Sequence, residues 1–481
     1  MKKPFAIPVI KALPAIDTAE PRIAPWLIFL VRFACRPYLA GFVGNARIYP
    51  DENAAGIIIP AMERALSRKS RCILAFRHQN GWEPQILMWF TLYRLAKFAG
   101  KRGFRFPLPP RLLFVHGYEL FRWGGPLLRF ALPRFGAMPI HHAKLDSAGL
   151  DRIYRSLREG PYPLAIAPEG QVSYTLAEEP RIESGTVRIA LTVAEQLLAC
   201  AGKDGTQTAR ENCPAVEIIP VSLYPEYGRK ALIAAERLLR RVECVCGIQE
   251  RFPPPDPNAF DLSRLDLSRL DLSHLMERFL RCREIILALN EKRYGLDRED
   301  AVRNRQDFGA RLDAVIEAAL QSASAILRID RPPGDTINRL YVIRQICWDR
   351  IFPENTGLAS LPALERAFLD LRAGEAWYAA RHMELADFSF YFHRPPGESP
   401  ASIVEYAQNL YDFANRTMGG IFGTRKKIAP DAIRISAAPP INITEMMSTA
   451  AGAEGLTREH RKAINAEANE LLKQRLSAGL T

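Results

Sequence analysis

The sequence lacks the residue clusters by which several protein classes are recognised. Its eight cysteines are scattered over 481 residues, which predicts free thiols in a reducing compartment and not a disulfide framework. Cys244 and Cys246 form a C-x-C, but no second Cys or His cluster follows at metal-ligand spacing. We therefore expect no metal site, and we interpret the two cysteines as neighbours on one face of a short strand.

Nucleic-acid-binding motifs are also missing, although the chain is basic. The formal net charge is +12, yet the basic residues are scattered, and no zinc finger, basic zipper or G-K-[ST] loop accompanies them. We therefore expect no nucleic-acid partner. The charge favours another acidic partner, such as anionic lipid or an acidic carrier or cofactor.

We expect no secretory signal in the N-terminal region, since no uninterrupted apolar run precedes a small-residue cleavage site. Residues 26–43 are strongly apolar but contain Arg32, Arg36 and Pro37. A membrane-spanning helix needs about 20 apolar residues with few charges. The pattern instead predicts a pair of short interfacial helices within residues 1–44, broken near Pro37. A buried core helix is the alternative.

The rest of the chain falls into three stretches of different pattern. Short apolar runs alternate with helical stretches over residues 45–251, which is typical of an α/β fold with a central sheet flanked by helices. The run FPPPDP then ends regular structure, and we interpret residues 252–274, with their DLSRL repeats, as a linker. Residues 275–481 have the pattern of helices separated by Pro and Gly, which predicts a mostly helical C-terminal domain of unknown role.

A histidine and a carboxylate lie five residues apart after one of the predicted strands. The strand is expected to end at Phe76, and Pro84 suits the first position of a helix. Glu83 would then lie at the helix N-terminus, where the helix dipole stabilises a carboxylate. From there it can accept one ring N–H of His78, so that the other ring nitrogen acts as a base toward a hydroxyl. No Ser or Cys nucleophile accompanies the pair, which favours direct transfer over a covalent intermediate.

Three later segments add to this pair. They are FGAMPIHH at residues 135–142, IAPEGQVS at 166–173 and IIPVSL at 218–223. Together with RHQNGWE at 77–83, they resemble in order the four sequence blocks of the glycerolipid acyltransferase superfamily. That superfamily includes lysophosphatidic acid and glycerol-3-phosphate acyltransferases. The resemblance covers about residues 45–250 and implies a glycerolipid-acyltransferase-like central sheet in that region.

The resemblance also implies roles for individual residues. His78 matches the catalytic histidine of the first block, and Glu83 stands at the position of its aspartate. The candidate substrate-binding residues lie in or beside the blocks, and they are Arg77, Gly136, His142, Lys144, Glu169, Gly170, Gln171 and Ser173.

Several positions depart from the family pattern. Glu83 is longer than the family's Asp by one methylene. His142 stands where the second block has Arg, and Gln171 and Val172 replace the Thr and Arg of the third block. In the family those arginines are associated with the acceptor's phosphate, which a guanidinium can bind in a bidentate manner. The acceptor therefore stays open between a glycerol phosphate and a lysolipid, an ornithine-type lipid or another hydroxyl acceptor. Charge from other positions could come from Arg77, Lys144 or Arg181.

The function implied by the resemblance is transfer of a fatty acyl group to a lipid hydroxyl. The implied donor is acyl-CoA or acyl-carrier protein as co-substrate, with no further cofactor. Both donors are acidic, which suits the basic chain. The expected location is peripheral, at the cytoplasmic face of a membrane. The alternative left open by the departures is a non-catalytic lipid- or carrier-binding protein on the same scaffold.

Overall fold

A computed structural model divides the chain into two compact units. The sheet unit comprises Thr18–His141, Leu145–Glu226 and Ala429–Thr481. The helical unit comprises Met1–Asp17, His142–Lys144 and Tyr227–Ile428. Within these bounds the structure describes residues 11–16, 20–118, 120–141, 144, 146–176, 178–203, 213–248, 272–296, 307–353, 357–389, 392–395, 397–420, 425–450 and 456–478. The predicted linker lies outside the described residues, except for residues 272–274.

The sheet unit contains a mixed eight-stranded sheet, so the α/β class with flanking helices is confirmed. The strands are β1 (Arg47–Pro50), β2 (Ser70–Phe76), β3 (Leu113–Gly117), β4 (Met138–Ile140), β5 (Leu164–Ile166), β6 (Ala215–Glu226), β7 (Ala432–Ala437) and β8 (Ile441–Asn442). Their order is β1-β7-β6-β2-β5-β3-β4, and β8 pairs with β6. The pairs that link β6, β2, β5, β3 and β4 are all parallel. The carboxyl ends of these five strands therefore open at one edge of the sheet.

The burial of the central strand β2 shows that the sheet is covered on both faces. All seven of its residues are buried, as expected for a parallel strand between two helical layers. Leu74 and Phe76 belong to one core cluster, whereas Ile73 and Ala75 belong to the other. The helices that pack in the first cluster are α1 (Pro25–Val43), α2 (Glu52–Leu66), α3 (Glu83–Tyr93) and α4 (Leu95–Gly100). The helices that pack in the second cluster are α6 (Ser147–Glu159), α7 (Gly185–Lys203), α14 (Ile443–Ala450) and α15 (Arg458–Ser477). Helix α5 (Leu120–Arg134) lies between β3 and β4 in the chain.

Helix α1 is a single helix and not the expected pair. It continues through Pro37, which lies on an exposed face of the helix. Proline removes one helix N–H, and on an exposed face water can bind the carbonyl that is left without this donor. Cys35, Leu39 and Val43 on the opposite face are buried in the sheet unit. Within the described residues, α1 is the one helix that is long and apolar enough to cross a membrane by length and composition.

The C-terminal boundary also differs from the expectation for residues 275–481. Residues 429–481 belong to the sheet unit, and β7 lies between β1 and β6. Strands β7 and β8 contain only six and two residues. They are hard to predict from the sequence, because a short apolar run is compatible with a strand or with part of a helix. The helical unit contains Tyr227–Ile428 and so begins inside the 45–251 stretch that was expected to be α/β, whereas residues 275–428 within it are mostly helical, as expected. Its helices are α8 (Arg229–Val245), α9 (Leu272–Arg293), α10 (Phe308–Leu327), α11 (Thr336–Ile351), α12 (Ala363–Ser389) and α13 (Pro400–Thr417).

The expectation of free cysteine thiols is confirmed, but the expected strand at Cys244 and Cys246 is not found. All eight are free. Cys244, however, lies in the last turn of α8, and Cys246 forms the C-cap of that helix. The expected short strand at C-x-C was therefore wrong. The apolar positions of α8, including Leu238, Leu239 and Val242, are buried at helical spacing and determine its conformation.

Gly136 provides a test of packing in the sheet unit. It has φ of +81°, and an added Cβ would lie 2.6 Å from Cδ2 of Leu113, which is buried. Gly103 has a similar φ of +80°, with nothing within 4 Å of an added Cβ. Both alanine substitutions carry left-handed strain of about 1–2 kcal/mol, but only Gly136→Ala adds a clash. In urea denaturation, we expect Gly136→Ala to lower the free energy of unfolding by about 1 kcal/mol or more beyond the loss caused by Gly103→Ala. Equal losses for the two variants would contradict this account.

Candidate active site

The site lies where the parallel strands end. His78 follows the end of β2 by two residues, and Glu169 follows the end of β5 by three. β2 and β5 are neighbours, with Ala75 paired to Ile166. On its other side β2 pairs with β6, which contains IIPVSL. The first and third blocks therefore follow the adjacent strands β2 and β5, the last block lies within β6 on the other side of β2, and the second block lies at β4 in the same sheet.

His78 and Glu83 form the expected pair. Nδ1 of His78 lies 3.0 Å from Oε2 of Glu83. The Glu83 side chain is fully buried, whereas that of His78 is 18% exposed. A carboxylate only accepts hydrogen bonds, so this contact places the ring proton on Nδ1. Nε2 of His78 is then the ring nitrogen with a lone pair for a substrate hydroxyl.

The loop between the two residues is held by the same carboxylate. Oε1 of Glu83 accepts the backbone N–H of Asn80 at 2.7 Å, and Oε2 accepts that of Gly81 at 2.9 Å. Gly81 has φ of +82°, a conformation that suits glycine. Glu83 is the first residue of α3, and Pro84 lies in its first turn. Because its carboxylate reaches back over the loop, one side chain fixes both the turn and the imidazole.

Residues of the third block hold the backbone of His78 on both sides. Oε1 of Glu169 accepts the N–H of His78 at 2.8 Å. The N–H of Ser173 donates to the carbonyl of His78 at 2.9 Å. Glu169 is buried, and this burial raises the pKa of its carboxyl, while Arg77 and the His78 N–H act in the opposite direction. Glu169 therefore positions the histidine from inside the protein.

Arg77 lies beneath the site and not at its surface. Its side chain is fully buried. The guanidinium donates to the carbonyl of Glu178 at 2.9 Å and to that of Thr175 at 3.4 Å, and Nε lies 3.9 Å from Oε1 of Glu169. From the sequence, Arg77 was expected among the substrate-binding residues. Because its donors face loop carbonyls in the interior, we interpret it instead as the residue that holds the third-block loop against β2.

The remaining residues of the third block form the turn beside His78. Gly170 has φ of +72°, and its N–H donates to the carbonyl of Ala167 at 3.1 Å. Gln171 is partly buried. Val172 lies next to the histidine loop, since a Cβ added to Gly81 would lie 3.9 Å from its Cγ2. An apolar side chain therefore occupies the position at which the family has arginine.

For three of the remaining predicted residues, the structure describes contacts other than those of the His78 loop. Gly136 forms the tight turn before β4, against Leu113, which is a packing role. Lys144 belongs to the helical unit, with Nζ 3.8 Å from Oδ1 of Asp349. His142 lies outside the described residues. Arg181, weighed as a further source of charge, has Nε 3.4 Å from Oε1 of Glu183.

An aromatic pair at the same edge of the sheet was not expected from the sequence. Tyr118 follows β3 and His141 follows β4, and their rings stack with centroids 3.9 Å apart and planes inclined by 8°. β3 and β4 are parallel neighbours, with Gly117 paired to Ile140. The sequence contains one sign that could have pointed to this pair, which is that both residues directly follow short apolar runs. Such a pair offers a flat surface beside the strand ends.

The chemistry available at this edge is proton transfer. The His78–Glu83 pair can take a proton from a hydroxyl, and the buried third-block residues keep that pair in place. Among the side chains that the structure describes, no group of three or more His, Cys, Asp or Glu residues is placed to hold a metal ion.

Comparison with known proteins adds no family assignment. A scan against family models and a search of curated proteins both return no match for this chain.

Proposed function

We propose that this chain is a glycerolipid-type acyltransferase. It transfers a fatty acyl group from acyl-CoA or acyl-carrier protein to the hydroxyl of a lipid acceptor. The observation that carries the proposal is the 3.0 Å contact between Nδ1 of His78 and the buried carboxylate of Glu83. It supports a base whose Nε2 faces the substrate. The four motif blocks, three of which lie within or directly after adjacent strands, support the acyl-transfer chemistry.

The proposed reaction needs no covalent enzyme intermediate. Nε2 of His78 removes the proton of the acceptor hydroxyl while the hydroxyl oxygen attacks the thioester carbonyl carbon. The carboxylate of Glu83 stabilises the imidazolium that forms. When the tetrahedral intermediate collapses, the C–S bond breaks and the imidazolium returns its proton to the leaving thiolate. The products are the acyl ester and the free thiol of the carrier, and His78 regains its starting state.

We further propose that the protein works at the cytoplasmic face of a membrane as a peripheral protein. Trp26, Phe29, Leu30 and Phe33 lie at helical spacing on α1, and each is more than half exposed. The opposite face of α1 is buried in the sheet unit. A helix with one face packed on protein and one apolar face exposed suits insertion into the interfacial region of a bilayer.

The proposed acceptor is a lysolipid or another hydroxyl lipid without a terminal phosphate. Val172 presents no donor beside the His78 loop, and the guanidinium of Arg77 donates to interior carbonyls. A phosphomonoester would therefore lose charge-assisted hydrogen bonds worth about 1.5–3 kcal/mol each.

Substitution of the catalytic pair tests the enzyme proposal. We expect His78→Ala to lower the rate of acyl transfer by about 10²–10⁴-fold, because the base is removed. Glu83→Gln should also lower it strongly, since an amide cannot accept from all three donors that face the carboxylate. Glu83→Asp keeps the charge but shortens the arm, so part of the activity should remain. The measurement is transfer of a radiolabelled acyl group to a panel of lysolipids.

Circular dichroism of each variant checks that the fold is retained. A folded His78→Ala protein with full activity would refute the proposed mechanism. If the wild type binds lipid or acyl carrier but transfers nothing to any acceptor, the chain is the non-catalytic binding protein of the alternative hypothesis.

Vesicle binding tests the membrane proposal. Burying an exposed Phe contributes about 1.5–3 kcal/mol, so Phe29→Ser/Phe33→Ser should weaken binding to anionic vesicles at least tenfold. Met418→Ser is the control, because Met418 is 63% exposed but lies in the helical unit. Co-sedimentation should fall partly with salt, as electrostatic attraction is screened, and partly persist. Equal binding by the Phe29→Ser/Phe33→Ser variant and the wild type would contradict the role of α1.

Competition between acceptors tests the specificity proposal. Lysophosphatidic acid should be used less efficiently than a neutral or zwitterionic lysolipid of matched chain length, by about tenfold or more. Val172→Arg should raise the use of lysophosphatidic acid, because it restores a guanidinium. Val172→Met is the control for side-chain size. A strong preference for lysophosphatidic acid in the wild type, retained after substitution of Lys144 and Arg181, would show the inference to be mistaken.

A further inference from the structure

Helix α12 of the helical unit has an apolar stripe on its outer face. Leu364 is 85% exposed, Phe368 59% and Leu371 70%. Their spacing of four and then three residues is the spacing by which one helix packs along another. On the inner face, Leu369 and Ala373 pack with Ala12 and Leu358. The exposed residues are therefore not needed to hold α12 in its own unit.

The surroundings of the stripe favour a protein partner. An open groove at the start of α12 is lined by Leu361, Leu364, Glu365, Phe368 and Leu369. Glu365 is exposed, and Arg372 is one-third exposed. Glu365 lies three residues before Phe368. Arg372 lies four residues after it, with its Nε 3.9 Å from Oε2 of Glu375 in the same helix.

These residues are complementary to themselves about a two-fold axis at Phe368. Suppose that two copies of α12 pack antiparallel with Phe368 on the two-fold axis. A residue a given number of positions before Phe368 in one copy then faces the residue the same number of positions after Phe368 in the other copy. Leu364 then lies one residue, about 1.5 Å along the helix, from Leu371 of the second copy. Glu365 lies equally close to Arg372 of the second copy. One axis therefore pairs apolar with apolar and acid with base.

We propose that α12 forms a symmetric antiparallel dimer with α12 of a second copy of this chain. Phe368 lies at the centre of the contact, the leucines flank it, and Glu365 and Arg372 form two equivalent ion pairs at its border. An interface of this kind is isologous, so every contact occurs twice. A single helix pair buries less surface than a standard stable interface, so the dimer should dissociate on dilution.

Sedimentation velocity of the full chain over a wide concentration range tests this proposal. The wild type should shift from monomer to dimer as its concentration rises. Phe368→Ser should abolish the shift. Leu289→Ser is the matched control, because Leu289 is an exposed leucine of the helical unit, 52% exposed, that lies on α9 outside the stripe. It should leave the dimer unchanged.

Charge reversal distinguishes this dimer from non-specific association. Glu365→Arg and Arg372→Glu should each weaken dimerisation by about fivefold or more, since each places like charges together twice. The double reversal should restore it. Circular dichroism excludes unfolding as the cause of any loss. A monomer at every concentration, equal effects of Phe368→Ser and Leu289→Ser, or a double reversal no better than the single ones would overturn the proposal.

Discussion

The site depends on one buried carboxylate. Glu83 accepts two backbone N–H groups of its loop and one ring N–H of His78. A carboxylate removed from water is costly unless several donors replace its hydration, and here three donors do so. The same contacts determine the shape of the loop and the orientation of the imidazole. The fold and the proposed chemistry therefore share one set of hydrogen bonds.

A second buried carboxylate connects this loop to the rest of the strand edge. Glu169 binds the main chain of His78, and Arg77 binds the carbonyls that follow the third block. Both side chains are inside the protein. Residues that a motif comparison assigns to substrate can thus serve to hold the substrate-facing residues in place. Sequence position alone does not distinguish the two roles, because it does not report burial.

The sequence predicted what depends on local pattern. The strand ending at Phe76, the helix beginning near Pro84 and the contact of His78 with Glu83 follow from short-range spacing. It did not predict the place of β7, because six residues carry no information about a partner strand far away in the chain. It also gave no indication of the stacking of Tyr118 on His141, which arises only when β3 and β4 pair.

The pairing of β1 with β7 has a consequence for the synthesis of the chain. Arg47 pairs with Ala432, and β7 also pairs with β6. While a ribosome is still making the helical unit, β1 lacks β7, the strand with which it pairs in the structure, and one edge of β6 is unprotected. Exposed strand edges promote association with other chains, and contacts between distant residues form slowly. The sheet can be completed only after the helical unit and β7 have been made, so the nascent chain has a long interval in which chaperone binding would protect it.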